Sequence, residues 1–268
     1  MTTLSSPAPD VRTSTEVAFE PDWAGITGVY GGRVIAAVAE EARAHAATDG
    51  LELASVFVEF TGGAQVGPAT LGTGVVHRGR STATLDVVCT QVQGRPGHEA
   101  EPMVERRVVG AVAKFVAPGA ALPAVAAPLR APDPESLPEF VPPWGSLAYD
   151  HKFDVRVISH ELEEGVPTTR AWVKLQPGTG LGNHGSLAAL LDVLPPGLFM
   201  REPRPRFVPT VDFAMHLDAD VPVVEGEWFH GVMRTEWEAE EFCLESATLQ
   251  RADGRFVGRG TQTRRIVR

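Results

Sequence analysis

Apolar positions recur along this chain with two periods, and the stretches carrying each period alternate. Residues 31–47 (GGRVIAAVAEEARAHAA) follow the helical period. Val34, Ile35 and Val38 share one face, and Glu40, Glu41 and Arg43 are expected to face water. Strand-like segments follow at 54–60, 71–77, 82–91 and 107–115. The third alternates strictly, with Leu85, Val87 and Cys89 opposite Thr84, Asp86 and Thr90. Arg78-Gly79-Arg80 supplies a hairpin turn between two of them. The pattern then recurs. Strands are predicted at 151–158 and 169–175, and a helix at 185–194 (GSLAALLDVL) that is stopped by Pro195-Pro196. Further strands are predicted at 208–217, 227–238, 240–249 and 256–265, the last preceded by an Arg251-Ala252-Asp253-Gly254 turn.

Between the two patterned regions, residues 116–149 hold eight prolines. Proline fixes φ and lacks a backbone donor, so regular structure is not expected there. The chain therefore divides into an N-terminal half (1–117), a Pro-rich linker (118–149) and a C-terminal half (150–268). Each half has one helix and several long antiparallel strands, and only a sheet face is available to bury the helix. That is an α+β arrangement in which a sheet wraps a central helix, the hotdog architecture. Its occurrence twice predicts a double hotdog produced by duplication.

Composition narrows the function. With 268 residues and 43% hydrophobic content the chain can bury a large core, and at 7% aromatic that core should be fine-grained. The net charge is −10 and no Lys/Arg-rich block occurs, which argues against nucleic acid as a partner. Residues 1–17 lack the basic start and apolar run of a signal peptide, and no stretch approaches the ~18 apolar residues of a membrane span. A cytoplasmic location without a membrane span is the expectation. Cys89 and Cys243 sit in apolar runs and read as buried hydrophobes. No Cys/His spacing suits a metal, and neither a cofactor loop nor a G-x-S-x-G elbow is present, so no metal, no cofactor and no serine nucleophile are expected.

Three polar residues break the apolar pattern. Asp192 lies within LAALLDVLPP on a helix side shared with Gly185 and Ala188, away from the Leu187–Leu190–Leu191–Leu194 stripe. It could instead be a partly exposed residue near a helix end, or cap a neighbouring loop. Thr210 opens the strand TVDFAMHL; alternation groups it with Asp212 and His216, opposite Val211, Phe213, Met215 and Leu217. Gln262 alternates with Phe256, Gly258 and Gly260, and its amide needs partners if buried.

The order LLDVLPPGLF, VPTVDFAMHL, GRGTQTRR resembles the second half of acyl-CoA thioesterase II and its double-hotdog relatives. GVYGGRVIAA and HRGRST in the first half resemble that family's helix start and hairpin turn. The resemblance implies hydrolysis of acyl thioesters, with Asp192, Thr210 and Gln262 holding the attacking water. In that chemistry Asp192 takes the proton, and Thr210 and Gln262 orient the water. Backbone N–H groups at a helix start would meet the oxyanion, with Gly31 and Gly32 as candidates and His184 and Gly185 as pocket neighbours. The same glycines could simply permit close packing. Arg78 and Arg80 are candidates for coenzyme A phosphates, although a solvated turn explains them as well. Acyl-CoA or an acyl-carrier thioester is the implied substrate, and copies of the chain could pair through sheets or helices. Two other classes fit the same residues: a hotdog enzyme acting on a carrier-bound thioester in lipid or polyketide assembly, and an acyl-binding protein without turnover. Aligning Gly32 with Gly185 sets Ala39 opposite Asp192, which predicts one working site per chain.

Overall fold

The computed structural model describes residues 12–94, 102–119, 129–142, 145–200, 205–218 and 221–268. The first half contributes β1 (Thr13–Phe19), α1 (Gly31–Ala44), β2 (Glu52–Phe60), β3 (Gly67–Arg78), β4 (Thr82–Gln93) and β5 (Val104–Val116). The second contributes β6 (Phe153–Glu163), β7 (Val166–Leu175), α2 (Asn183–Asp192), β8 (Thr210–Leu217), β9 (Trp228–Glu238), β10 (Phe242–Arg251) and β11 (Phe256–Arg265). All strands join one antiparallel sheet in the order β1-β3-β4-β5-β2-β8-β11-β10-β9-β7-β6. The two halves meet where β2 pairs with β8, from Ser55 opposite His216 to Glu59 opposite Asp212. This is the double hotdog that the periodicity predicts, with both helices cradled on the inner face.

The expected elements are present with bounds shifted by a few residues, and three differences stand out. β1 falls where no element is expected; it is an edge strand with only Phe19 fully buried, so it carries no alternation to read. β6 and β7 run further than the apolar pattern, to a two-residue turn at Glu164 (φ 52°) and Gly165 (φ 84°), a pair of left-handed residues that suits a hairpin's twist. α2 begins at Asn183 and ends at Asp192, two residues ahead of its expected span at each end.

The helices pack on each other at glycines. A Cβ on Gly32 would stand 2.9 Å from Ala189 Cα, and one on Gly185 would stand 3.0 Å from Ala36 Cβ. The same sequence offset relates Gly32 to Gly185 and Ala36 to Ala189, so the contact is reciprocal. The core then fills with small side chains: Ala36, Ala39 and Ala42 of α1 and Ala188 and Ala189 of α2 are all fully buried. Both cysteines are buried and free.

Candidate functional site

Asp192 is the last residue of α2 and is 9% exposed. The Gly32 N–H donates to its Oδ2 at 2.8 Å, so Asp192 caps the first turn of α1, whose own N-cap, Tyr30, makes no side-chain cap. Gly31 makes room for this approach, because a Cβ there would lie 2.9 Å from the same oxygen. Burial pushes the Asp192 carboxyl above its ordinary range, opposed by the Arg264 guanidinium and the Gly32 N–H.

Thr210 reaches this site because β8 carries a bulge. Asp212 pairs with Thr263 and Thr210 with Arg264, leaving Val211 as the extra residue. The bulge reverses the alternation, so Thr210 lies on the inner face with Phe213 and not on the side of Asp212 and His216 as simple alternation predicts. A similar irregularity at Leu249/Gln250 takes Phe256 off the Gly258–Gly260–Gln262 face, and it is largely exposed.

Arg264 is the hub, and the sequence reading missed it. Its Nη2 lies 3.5 Å from Asp192 Oδ1, and its Nη1 donates to Thr210 Oγ1 at 3.3 Å and to the Val208 carbonyl at 3.2 Å. Because arginine only donates, the Thr210 hydroxyl turns its hydrogen to Gln262 Oε1, 3.0 Å away. That fixes the Gln262 amide with its oxygen toward Thr210, and its Nε2, fully buried, has no partner among the described residues. On the far side, Arg264 Nε lies 2.8 Å from Glu245 Oε2, a charge contact without hydrogen-bond geometry. Thr235 Oγ1 donates to Glu245 Oε1 at 3.1 Å. Asp192, Arg264, Thr210 and Gln262 thus form one connected chain of polar groups. Arg264 was legible in principle: it continues the inward 258–260–262 alternation by one step.

This chain borders a cavity of about 600 Å³ at the junction of the halves. Asp192, Thr210 and Arg264 line it from the second half, Gly31 and Phe60 from the first, and Phe140 and Tyr149 from the segment between β5 and β6. Most of the remaining wall is apolar, including Val34, Leu194, Phe199 and Phe207. Gln262 stands behind Thr210 and is not a lining residue.

The other expected site residues lie elsewhere. Gly32 is not among the residues lining the cavity, and its N–H donates to Asp192 rather than pointing at open space. Gly185 is pressed against Ala36 and Glu40, a packing role, and half-buried His184 beside it in the first turn of α2 does not face the cavity. Arg78 and Arg80 flank the β3–β4 turn, where Arg78 bonds the Gly79 and Asp49 carbonyls; neither lines the cavity. Glu40 and Glu41 do not simply face water. Glu40 accepts the Gly182 N–H at 2.6 Å and caps α2, while Glu41 accepts from the Thr15 and Thr73 hydroxyls.

Register identifies the first-half counterparts of the site. Leu53 pairs with Phe115 beside a bulge before Ser55, matching Thr210 with Arg264 beside the Val211 bulge. Counting from that pair, Ala113 stands where Gln262 stands, and Leu85, paired with Ala113, where Glu245 stands. Leu53, Leu85, Ala113 and Phe115 are each 0% exposed. The second half's polar set is therefore an apolar core in the first.

A profile of acyl-CoA thioesterase N-terminal domains matches residues 19–115, and one of acyl-CoA thioesterase C-terminal domains matches residues 123–266. No curated protein matches the chain with statistical support. Among solved structures, a conserved protein of unknown function with a hot dog fold from Alicyclobacillus acidocaldarius superposes with a TM-score of 0.79 at 21% identity, covering 98% of this chain and 95% of that one. The tesB protein of Mycobacterium avium subsp. paratuberculosis gives 0.70 at 19% identity over 95% and 93% of the two chains. Acyl-CoA thioesterase II TesB2 from Mycobacterium marinum gives 0.68 at 15% identity over 88% of each. At these identities the structural likeness speaks for the fold.

Proposed function

This chain belongs to the acyl-CoA thioesterase family, and from that premise we propose that it hydrolyses acyl-CoA thioesters by a water that Asp192 deprotonates and that Thr210 and Gln262 orient. The observation that carries the reading is the connected polar chain in which Asp192, Arg264 and Thr210 line one wall of a mostly apolar cavity and Gln262 stands behind them. An acyl chain suits the apolar wall, and the reacting carbonyl suits its polar end.

In this scheme the water oxygen attacks the thioester carbonyl carbon while its proton passes to Asp192. Gln262 Nε2, buried behind Thr210 and without a partner among the described residues, is the donor left to hold that water once it enters past Thr210, and Thr210 fixes the amide that carries it. Negative charge gathering on the carbonyl oxygen meets the N-terminus of α1 at Gly31 and the Arg264 guanidinium, which replaces the Gly31–Gly32 pair expected from sequence. The tetrahedral species then collapses. The C–S bond breaks, the thiolate recovers a proton from Asp192, and a carboxylic acid and coenzyme A result. A carboxyl raised by burial is the better base for this cycle.

The test is thiol release from a butyryl- to palmitoyl-CoA panel by the wild type and by Asp192→Asn. Asparagine can still accept the Gly32 N–H, so the variant should fold. We expect turnover below a tenth of wild type on the preferred substrate; turnover above that level would remove Asp192 from the role of base.

A further inference from the structure

The buried charges of the second half do not balance as a simple ion pair. Arg264 faces two carboxylates, Glu245 on β10 and Asp192 on α2, with side chains 0% and 5% exposed respectively. The two contacts are unequal: Glu245 Oε2 is 2.8 Å from Nε, whereas Asp192 Oδ1 is 3.5 Å from Nη2. Glu245 is also the better held, since Thr235 donates to it and the Leu198 backbone N–H supports it as well. A fully buried carboxylate is costly, and the fold does not need this one. In the first half Leu85 and Phe115 occupy the positions of Glu245 and Arg264, and that half packs with the same strand register. If Arg264 had only Asp192 to face, its whole charge would fall on the proposed base and suppress its affinity for a proton.

We propose that Glu245 is a positioning residue of the hydrolytic site: it occupies the Arg264 guanidinium and so leaves Asp192 basic enough to take a proton from water, while Arg264 still holds Thr210 in place. This rests on the reading of Asp192 as the base. The roles divide cleanly by geometry. Nε serves Glu245, and the two Nη groups serve Thr210 and Asp192.

Other groups around the network do not substitute for Glu245. From the first half Tyr30 faces Asp192, and from the segment just before β6 so does Tyr149; burial pushes both phenols up, and they stay protonated at working pH. Cys243, beside Glu245 on β10, is raised by burial to about 12 and stays neutral too. The charges that vary are those of Asp192 and Glu245, both raised by burial and both drawn down by Arg264.

The decisive measurement is the pH profile of kcat/KM for thiol release. Removing the competing negative charge in Glu245→Gln should move the acid limb to lower pH by about one unit. Thr235→Val, nearly isosteric, withdraws the hydroxyl that holds Glu245 and should move the limb the same way by less. Arg264→Met should move it to higher pH. Circular dichroism identifies which variants fold, and Thr235→Val decides the matter if the charged-site variants do not. An acid limb that stays in place in folded Glu245→Gln or Thr235→Val, whatever the loss of rate, overturns the proposal, because a purely structural role lowers activity without moving the limb. Asp192→Asn measured alongside separates the two ideas. If it is inactive and the limb does not move, only the role of Glu245 fails; if it stays active, the base itself is misassigned.

Discussion

At the scale of single residues, Gln262 holds an unusual position. It is 1% exposed, its oxygen is satisfied by Thr210, and its nitrogen has no partner among the described residues. A buried donor without an acceptor costs about 1–3 kcal/mol, and such a cost is tolerated where a transient partner is to be bound. Gln262→Met keeps the volume and removes the donor. It also frees the Thr210 hydroxyl, which is only half-buried and can turn to water. We expect the thermal midpoint of this variant to equal or exceed that of wild type while turnover falls by about a hundredfold or more, on the scale of losing one positioned donor. A destabilised variant with turnover intact would mean that Gln262 is a structural amide. Asp192 shows the opposite economy, since one carboxylate serves as a helix cap and as the proposed base.

At the scale of elements, the two helices cap each other across their packed glycines. Asp192 at the end of α2 reaches the start of α1, and Glu40 on α1 reaches the start of α2. The caps are related in topology but not in chemistry. Asp192 opens onto the cavity; Glu40 does not line it, and the strand positions around the first half's equivalent are apolar. Glu40→Ala should therefore cost about 1 kcal/mol of stability, as loss of a cap does, read by denaturant unfolding, and should leave kcat of the folded enzyme within about twofold of wild type. A large loss of kcat without unfolding would show that α2 must be clamped for Asp192 to work. The close approach at Gly32 and Gly185 is what lets such short carboxylate arms span two helices.

At the scale of the whole molecule, joining β2 to β8 makes one sheet of two halves and places the cavity where neither half could enclose it alone. Gly31 and Phe60 come from one half, Asp192 and Thr210 from the other, and Phe140 and Tyr149 from the segment between β5 and β6. The second half carries the polar set and the first half carries Leu53, Leu85, Ala113 and Phe115 in register with it. One binding event per chain follows. Titrating a non-hydrolysable acyl-CoA thioether by calorimetry should give a stoichiometry of about one; a value near two would show that the apolar half also takes ligand.

The sequence by itself determined the architecture. Helical and strand periods are local properties, so they survive in one dimension, and their repetition predicted two halves with one helix each. It also exposed Asp192 and Gln262, because a polar residue inside an apolar period stands out without knowledge of its neighbours. Tertiary structure alone decided the chemistry that those residues can share. A one-residue bulge at Val211 turned Thr210 inward against its apparent alternation, and no periodicity records a bulge. Arg264 looked like one of several strand arginines until register brought it against Asp192 and Glu245, residues distant in sequence. Periodicity turns Glu40 to water and leaves Gly32 open to an oxyanion or to close packing, but the reciprocal helix contact gives Glu40 the Gly182 N–H and the Gly32 N–H the Asp192 carboxylate. The physical reason is range. Side-chain periodicity is set by the backbone within a few residues, whereas hydrogen bonds and charge contacts are set by distances between strands and helices that only the closed sheet fixes.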